Sequence, residues 1–74
     1  MRVHIGIDTG GTFTDVIAFR EADGRLVALK VPSTPQNPAE AFIAGVRAAL
    51  EELGVSLGDV AFLAHGTTVA TNAL

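Results

Sequence analysis

The sequence contains no cysteine, tryptophan or tyrosine, and only five of its 74 residues are basic. Without cysteine, a disulfide framework, a thiolate nucleophile and a sulfur-ligated zinc site are excluded, and nothing indicates an oxidising compartment. The basic residues are scattered singly and four Phe offer few stacking platforms, so there is no patch suited to a phosphate backbone. We therefore expect no nucleic-acid partner.

Long apolar runs are also missing. The longest spans residues 60–64, far short of the roughly 20 residues that cross a bilayer, and residues 1–11 lack the basic start and apolar stretch of a signal peptide. These absences predict a cytoplasmic protein without a membrane partner. The chain carries a formal charge of −3. Its 74 residues have room for one domain at most, with a core of marginal size.

The first part of the chain is typical of a β-hairpin. Residues 3–9 alternate apolar and polar side chains with the two-residue period of a strand, and residues 12–19 resume with β-branched and aromatic residues. Gly10 and Gly11 stand between them, and we interpret them as a hairpin turn that tolerates positive φ. The second strand therefore returns antiparallel to the first.

A third strand and a helix follow. Residues 26–31 are apolar except for one lysine and end at Pro32. Asn37 then predicts a helix N-cap, with Pro38 at the first helical position, an apolar stripe along one face and Gly54 at the left-handed terminating position. This helix is expected to cover one face of the sheet.

The last part of the chain predicts a fourth strand. The continuous apolar run over 60–64 is typical of a strand buried on both faces, and residues 67–74 resemble the opening of a further helix. The order βββαβ, with a crossover helix before the fourth strand, predicts a mixed sheet of order 3-2-1-4 in an α/β fold. The carboxyl ends of the first and fourth strands then flank a crevice of the kind that binds ligands.

The glycine turn is the first candidate site. Gly10, Gly11, Thr12 and Thr14 offer backbone amides and hydroxyls that can approach a phosphate closely, and Asp8 is a ligand of the type that Mg²⁺ accepts. Nucleotide binding is therefore one hypothesis. The alternative is that the turn is only a good hairpin, with Asp8 bonding its own backbone.

The second candidate site follows the fourth strand. Gly66, Thr67 and Thr68 stand at a predicted helix start, where free amides favour an anion, although either threonine can also be an ordinary N-cap. His65 can act as acid, base or donor beside the phosphate turn, or serve only the structure. Asn72 can bond a substrate carbonyl or simply face water.

Three further acidic residues receive no functional assignment. Glu51 and Glu52 follow the exposed side of the predicted helix, and we interpret them, together with Asp15, as solvated.

Three blocks of sequence carry a family resemblance. Residues 5–15 (IGIDTGGTFTD) are similar to the first phosphate hairpin of the sugar kinase, Hsp70 and actin superfold, in the form used by the hydantoinase A/5-oxoprolinase family. Residues 30–35 (KVPSTP) and 65–74 (HGTTVATNAL) resemble two further blocks of that family in the same order. The resemblance implies an amino-terminal piece of an actin-like ATPase (ribonuclease H-like) domain over residues 1–74.

The resemblance also implies an activity. Family members use ATP and Mg²⁺ to open cyclic amides such as hydantoin, N-methylhydantoin and 5-oxoproline. Phosphorylating an amide carbonyl oxygen turns a poor electrophile into one that water can attack. Relatives serve as subunits of acetone-type carboxylases. A hydantoinase B-type companion subunit or a fused second half is the implied partner.

The resemblance assigns roles to individual residues. Asp8 is implied to act in catalysis by positioning Mg²⁺, and the turn from Gly10 to Thr12 to hold phosphates, with Thr14 a further contact. The implied substrate side comprises four residues of the last block: Gly66, Thr67, Thr68 and Asn72. The superfold also needs a second phosphate loop and an adenosine segment. Neither occurs in this chain, so we expect an amino-terminal fragment that is inactive alone.

Four other functions compete with the cyclic amide hydrolase. A carboxylase subunit is expected to carry much the same motifs and differs in its substrate. A non-catalytic activator ATPase uses nucleotide closure to alter a partner, and a small-molecule kinase releases a stable phosphorylated product. The last alternative is an α/β piece whose glycine hairpin binds nothing.

Overall fold

Residues 2–67, which the computed structural model describes, form a four-stranded mixed sheet with a helix on one face. The elements in chain order are β1 (Val3–Thr9), β2 (Phe13–Arg20), β3 (Arg25–Pro32), α1 (Pro38–Leu53), a 3-10 turn (Leu57–Asp59) and β4 (Val60–Thr67). β1 and β3 both pair antiparallel with β2, and β4 pairs parallel with β1. The predicted α/β class and the sheet order 3-2-1-4 are confirmed.

The core lies between α1 and the sheet. Every second side chain of the strands points toward α1, because successive side chains of a strand alternate between its faces. The core consists of Val3, Ile5, Ile7, Val16, Ala18, Val27, Val46, Ala49 and Leu53. Gly45 is buried at the contact, where a Cβ would lie 2.8 Å from Cγ2 of Val16. Its lack of a side chain therefore lets helix and sheet approach closely.

The helix begins where the sequence predicts, but a different residue caps it. Asn37 occupies the N-cap position before Pro38 and makes no side-chain capping bond. Instead, Oγ1 of Thr34 accepts the N–H of Ala41 at 3.0 Å and donates to the carbonyl oxygen of Asn37 at 2.6 Å. The capping role assigned to the Asn37 side chain is therefore wrong, because Thr34 folds back over the first turn and satisfies a free amide there.

The helix ends at Leu53, and the φ of 68° at the following Gly54 confirms the predicted left-handed position. Arg20 at the end of β2 donates to the carbonyl oxygen of Leu53 and holds Asp23 in a two-pronged ion pair, with N–O distances of 2.9 and 2.6 Å. The guanidinium lowers the pKa of Asp23 from 3.8 to about 2. One arginine thus joins the β2–β3 turn to the helix terminus.

β4 is an edge strand, and its burial differs from the prediction. Residues 61–66 are all exposed, including Phe62 and Leu63. The expectation of a strand buried on both faces is wrong for the described residues, because β4 has only β1 beside it and α1 packs chiefly over the other three strands. An apolar run identifies a strand, whereas burial depends on which elements pack against it.

The end of β4 also differs from the prediction. Gly66 and Thr67 belong to the strand, so Thr67 is not part of the predicted helix. The rest of the predicted helix, residues 68–74, lies outside the described residues. Among residues 2–67, no helix has the length and apolar character to cross a membrane.

Candidate functional site

The loop between β1 and β2 is built around a tight contact at Gly10. The N–H of Gly10 donates to the carbonyl oxygen of Phe13 at 3.0 Å, and a Cβ on Gly10 would lie 2.8 Å from that oxygen. Glycine is required there by this close approach. Gly10 and Gly11 do not have positive φ, so the turn does not use the left-handed conformation that glycine tolerates.

The next two residues expose their backbone amides. Gly11 and Thr12 are exposed, and within residues 2–67 their N–H groups donate to no other group. A Cβ on Gly11 would meet no other atom of residues 2–67 within 4 Å, so the described part of the chain leaves the space beside Gly11 open. Adjacent free amides at a turn form a concavity that suits an anion. The loop can therefore hold a phosphate oxygen.

Thr14 lies below the loop. Its side chain is completely buried, and its Oγ1 lies 2.9 Å from Oγ of Ser33. The residue points toward α1, as do its strand neighbours Val16 and Ala18. The geometry places the Thr14 hydroxyl where it supports the loop from inside the protein.

Asp8 stands at the other side of the loop, on the sheet surface that faces away from α1. We call this surface the open face. Three rows of cross-strand neighbours form its centre: Phe62, His4, Phe19 and Leu26; Ala64, Gly6, Ile17 and Ala28; and Gly66, Asp8, Asp15 and Lys30. The last two rows line an open concavity of about 930 Å³. The row nearest the loop is thus the charged one.

The charged row contains a residue to which the sequence analysis assigned no function. Asp15 lies directly opposite Asp8, at the spacing of about 5 Å typical of cross-strand neighbours. Nζ of Lys30 lies 3.6 Å from Oδ1 of Asp15 and 5.6 Å from the centre of the Phe13 ring. Pairing Thr9 with Thr14, which leaves residues 10–13 between them, places position 8 opposite position 15. The hairpin register is therefore the sequence signal that could have identified Asp15.

His65 faces the opposite side of the sheet from Asp8. It is the register partner of Ile7, its ring lies 5.0 Å from that of Phe42 on α1, and its Nε2 lies 2.9 Å from Oγ1 of Thr9. These contacts favour the structural interpretation over a role as acid or base. His65 instead ties the carboxyl ends of β1 and β4 together.

The second predicted site is brought beside the first. Gly66 is the parallel register partner of Asp8, and Thr67 is that of Thr9. The carboxyl ends of β1 and β4 therefore lie side by side next to the loop, as the topology predicts. Thr68 and Asn72 lie outside the described residues, so their roles stay predictions, as do those of Gly66 and Thr67.

A nucleotide-bound Mg²⁺ fits this arrangement through few protein ligands. Within residues 2–67, no three side chains of His, Asp or Glu gather as a metal cage. Mg²⁺ with a nucleotide takes one or two carboxylates, and phosphate oxygens and waters complete its shell. Asp8 is exposed beside the amides of the loop and can supply such a ligand.

Comparisons with known proteins assign this chain to a family. Residues 4–74 match the model of the hydantoinase/oxoprolinase N-terminal region. This match, together with the glycine loop, places the chain among α/β proteins of the hydantoinase/oxoprolinase type. The chain belongs to the hydantoinase/oxoprolinase family, and the resemblance stated from its motifs is confirmed.

Several relatives of known name share this region. The chain is 39% identical to caprolactamase subunit alpha of Pseudomonas jessenii over 95% of its own length and 10% of the relative's. It is 47% identical to the acetone carboxylase beta subunit of Xanthobacter autotrophicus, over 72% and 7% of the two chains. It is 38% identical to 5-oxoprolinase 1 of Arabidopsis thaliana, over 92% and 6%. The chain thus spans about a tenth or less of the relatives it matches.

Proposed function

We propose that this chain is the amino-terminal part of the nucleotide-binding domain of an ATP-dependent enzyme that opens cyclic amides. The observation that carries the proposal is the loop at residues 10–12, where two exposed amides without partners among residues 2–67 closely follow the exposed Asp8 in the chain. Membership of the hydantoinase/oxoprolinase family supports the reaction class. Relatives named caprolactamase and 5-oxoprolinase support a cyclic amide as substrate.

In this proposal, each part of the site has a separate task. The N–H groups of Gly11 and Thr12 bind phosphate oxygens, and Gly10 keeps the loop in the shape that exposes them. Asp8 orients Mg²⁺, directly or through a bound water. When bound, ATP with Mg²⁺ supplies the phosphoryl group that activates the amide carbonyl toward water. The residues of this chain therefore act by placement and by charge.

The substrate side is proposed to begin at the neighbouring strand end. Gly66 adjoins Asp8, and Thr67 adjoins Thr9, so a molecule held between the two strand ends is within reach of the phosphate loop. We assign Gly66, Thr67, Thr68 and Asn72 to that side. An actin-like ATPase domain, completed by segments beyond residue 74, supplies the second phosphate loop and the adenosine site.

The test compares substitutions in the full-length protein. Gly10→Ala pushes a Cβ into the Phe13 carbonyl, and Asp8→Ala removes the proposed metal ligand. We expect Gly10→Ala to raise the Kd for ATP by roughly tenfold or more, and Asp8→Ala to abolish ADP release stimulated by a cyclic amide. Gly58→Ala is the matched control, because its Cβ would have no contact closer than 3.9 Å. Normal ATP binding and turnover in both variants would contradict the proposal.

A carboxylase subunit is the second candidate function. The observation that favours it is the 47% identity to an acetone carboxylase subunit. The same ADP-release assay separates the two candidates. Stimulation by 5-oxoproline, hydantoin, N-methylhydantoin or caprolactam supports the hydrolase, and stimulation only by a ketone with bicarbonate supports the carboxylase. A stable phosphorylated product instead indicates a kinase, and ATP hydrolysis without response to any of these compounds indicates an activator ATPase.

A companion subunit is also proposed. Relatives are named as alpha, beta and gamma subunits of their enzymes, which indicates multichain assemblies. We therefore propose a hydantoinase B-type chain, or a fused second half, as the partner. Assays of the full-length protein should include it.

A further inference from the structure

Ser33 connects the end of β3 to the phosphate loop. It follows Pro32, and its backbone N–H donates to the carbonyl oxygen of Thr12 at 2.9 Å. Its Oγ donates to the carbonyl oxygen of Gly10 at 2.7 Å. A single residue of the third strand's end therefore holds the loop at both of its ends.

The buried Thr14 hydroxyl completes this contact. A carbonyl oxygen can only accept, so the one hydroxyl hydrogen of Ser33 is committed to Gly10. In the 2.9 Å contact between the two side chains, Thr14 must then be the donor and Ser33 the acceptor. The hydrogen bonds therefore run in one direction, from Thr14 through Ser33 to the Gly10 carbonyl.

This direction determines where the Gly11 amide points. The carbonyl of Gly10 and the N–H of Gly11 belong to one peptide unit, and a trans peptide holds these two groups pointing opposite ways. Anchoring the carbonyl toward Ser33 turns the Gly11 N–H away from Ser33, and within residues 2–67 this N–H has no acceptor. Successive hydrogen bonds also polarise one another, which makes that N–H a stronger donor.

We infer that Ser33, supported by Thr14, is a positioning residue for phosphate binding. It fixes the Gly10–Gly11 peptide so that the Gly11 N–H meets a phosphate oxygen without a reorientation of the loop. This inference rests on the proposed function of the loop. It adds a residue from the second family-like block, to which neither the motif nor the comparisons assign a role.

The test uses the full-length protein with its companion, and ATP as the probe. Ser33→Ala removes the bond to Gly10, and Thr14→Val removes the donor behind it at nearly constant volume. We expect Ser33→Ala to raise the KM for ATP roughly tenfold with kcat within about twofold, and Thr14→Val to raise it by less. Ser33→Thr keeps the hydroxyl and should restore most of the affinity. Hydrogen exchange across residues 9–14 should be faster in Ser33→Ala.

Thr34→Ala is the matched control. It removes a neighbouring hydroxyl that caps α1 and, among residues 2–67, makes its hydrogen bonds to Asn37 and Ala41 rather than to the loop. It should lower thermal stability while leaving the KM for ATP unchanged. An equal rise in KM for Thr34→Ala, or no rise for Ser33→Ala, would overturn the inference.

The Gly10→Ala variant separates this inference from the proposed function. If Gly10→Ala loses ATP affinity and Ser33→Ala keeps it, the loop binds phosphate and Ser33 does not position it. If Gly10→Ala also keeps full affinity, the loop is not a phosphate site. In that outcome both statements are wrong.

Discussion

Asp8 of β1 and Asp15 of β2 are cross-strand partners, so two carboxylates lie side by side on the open face of the sheet. Like charges directly opposite each other destabilise an antiparallel pair. Lys30 offsets part of this repulsion through its contact with Asp15, and Asp8 has no such partner among the described residues. The repulsion between the two carboxylates lowers the stability of the fold. It lies at the position where the proposed site needs negative charge.

This relationship predicts that removing one charge stabilises the protein in the absence of nucleotide and divalent cation. Asp8→Asn should raise the free energy of unfolding by roughly 0.2–1 kcal/mol. Asp15→Asn should gain less, because it also loses the contact with Lys30. Chemical unfolding at low and high salt tests this, since added salt screens exposed charges and should shrink the gain. Lower stability of Asp8→Asn at low salt would contradict it.

The close contact at Gly45 predicts that even a single methyl group at this position destabilises the folded protein. In Gly45→Ala the new Cβ would lie 2.8 Å from Cγ2 of Val16. We expect a loss of about 1–3 kcal/mol from overpacking, despite the better helix propensity of alanine. Thermal unfolding of Gly45→Ala, Val16→Ala and the double variant measures it. The double variant should be more stable than the sum of the two single losses predicts, and strict additivity would rule out the contact as the cause.

The helix cap predicts that substituting Thr34 lowers stability more than substituting Asn37. The sequence alone predicts the opposite order. Thr34→Ala should cost about 1 kcal/mol, because it leaves the Ala41 amide without its acceptor. Asn37→Ala should cost less, since the Asn37 side chain makes no capping bond. Unfolding free energies of the two variants decide between them. A larger loss of unfolding free energy for Asn37→Ala would contradict this order and support Asn37 as the capping residue.

The ion pair between Arg20 and Asp23 predicts an acid-dependent contribution to stability. Because the folded state lowers the pKa of Asp23 from 3.8 to about 2, its contribution is complete above pH 4. It is lost as the pH falls from 4 through 2, where the carboxylate gains its proton in the folded state as well.

Thermal unfolding of Asp23→Asn between pH 6 and pH 2 measures this contribution. The variant should be less stable than the wild type above pH 4, and the two curves should converge below pH 2, which serves as the internal control. A difference that stays constant across the whole range would exclude the ionised pair as its origin.

The strand pairing could be predicted because each signal was local. Three signals depend only on neighbouring residues: the apolar–polar alternation over residues 3–9, the two adjacent glycines, and the helix start and stop residues Pro38 and Gly54. Once the elements are known, the handedness of the crossover leaves little choice for β4. The motif at residues 5–15 likewise identified the family, since its residues are contiguous in the chain.

The errors lie where a local pattern depends on distant partners. The apolar run at residues 60–64 does not indicate which elements pack against the strand. Within residues 2–67, residues 61–66 of β4 are exposed. Thr34, not Asn37, caps the helix, because the cap depends on how the preceding loop folds back. Asp15 is exposed, as the sequence predicts, but only the hairpin register sets it opposite Asp8.

The sequence by itself determined the fold class, the strand order and the family, because these follow from periodicity, turn chemistry and a contiguous motif. Only the tertiary structure decided how the loop at residues 10–12 is held. Its geometry depends on Ser33, which lies more than twenty positions away from Gly10 and meets it only when β3 pairs with β2. Side-chain hydrogen bonds act over about 3 Å, and chain folding alone brings such distant residues within that range.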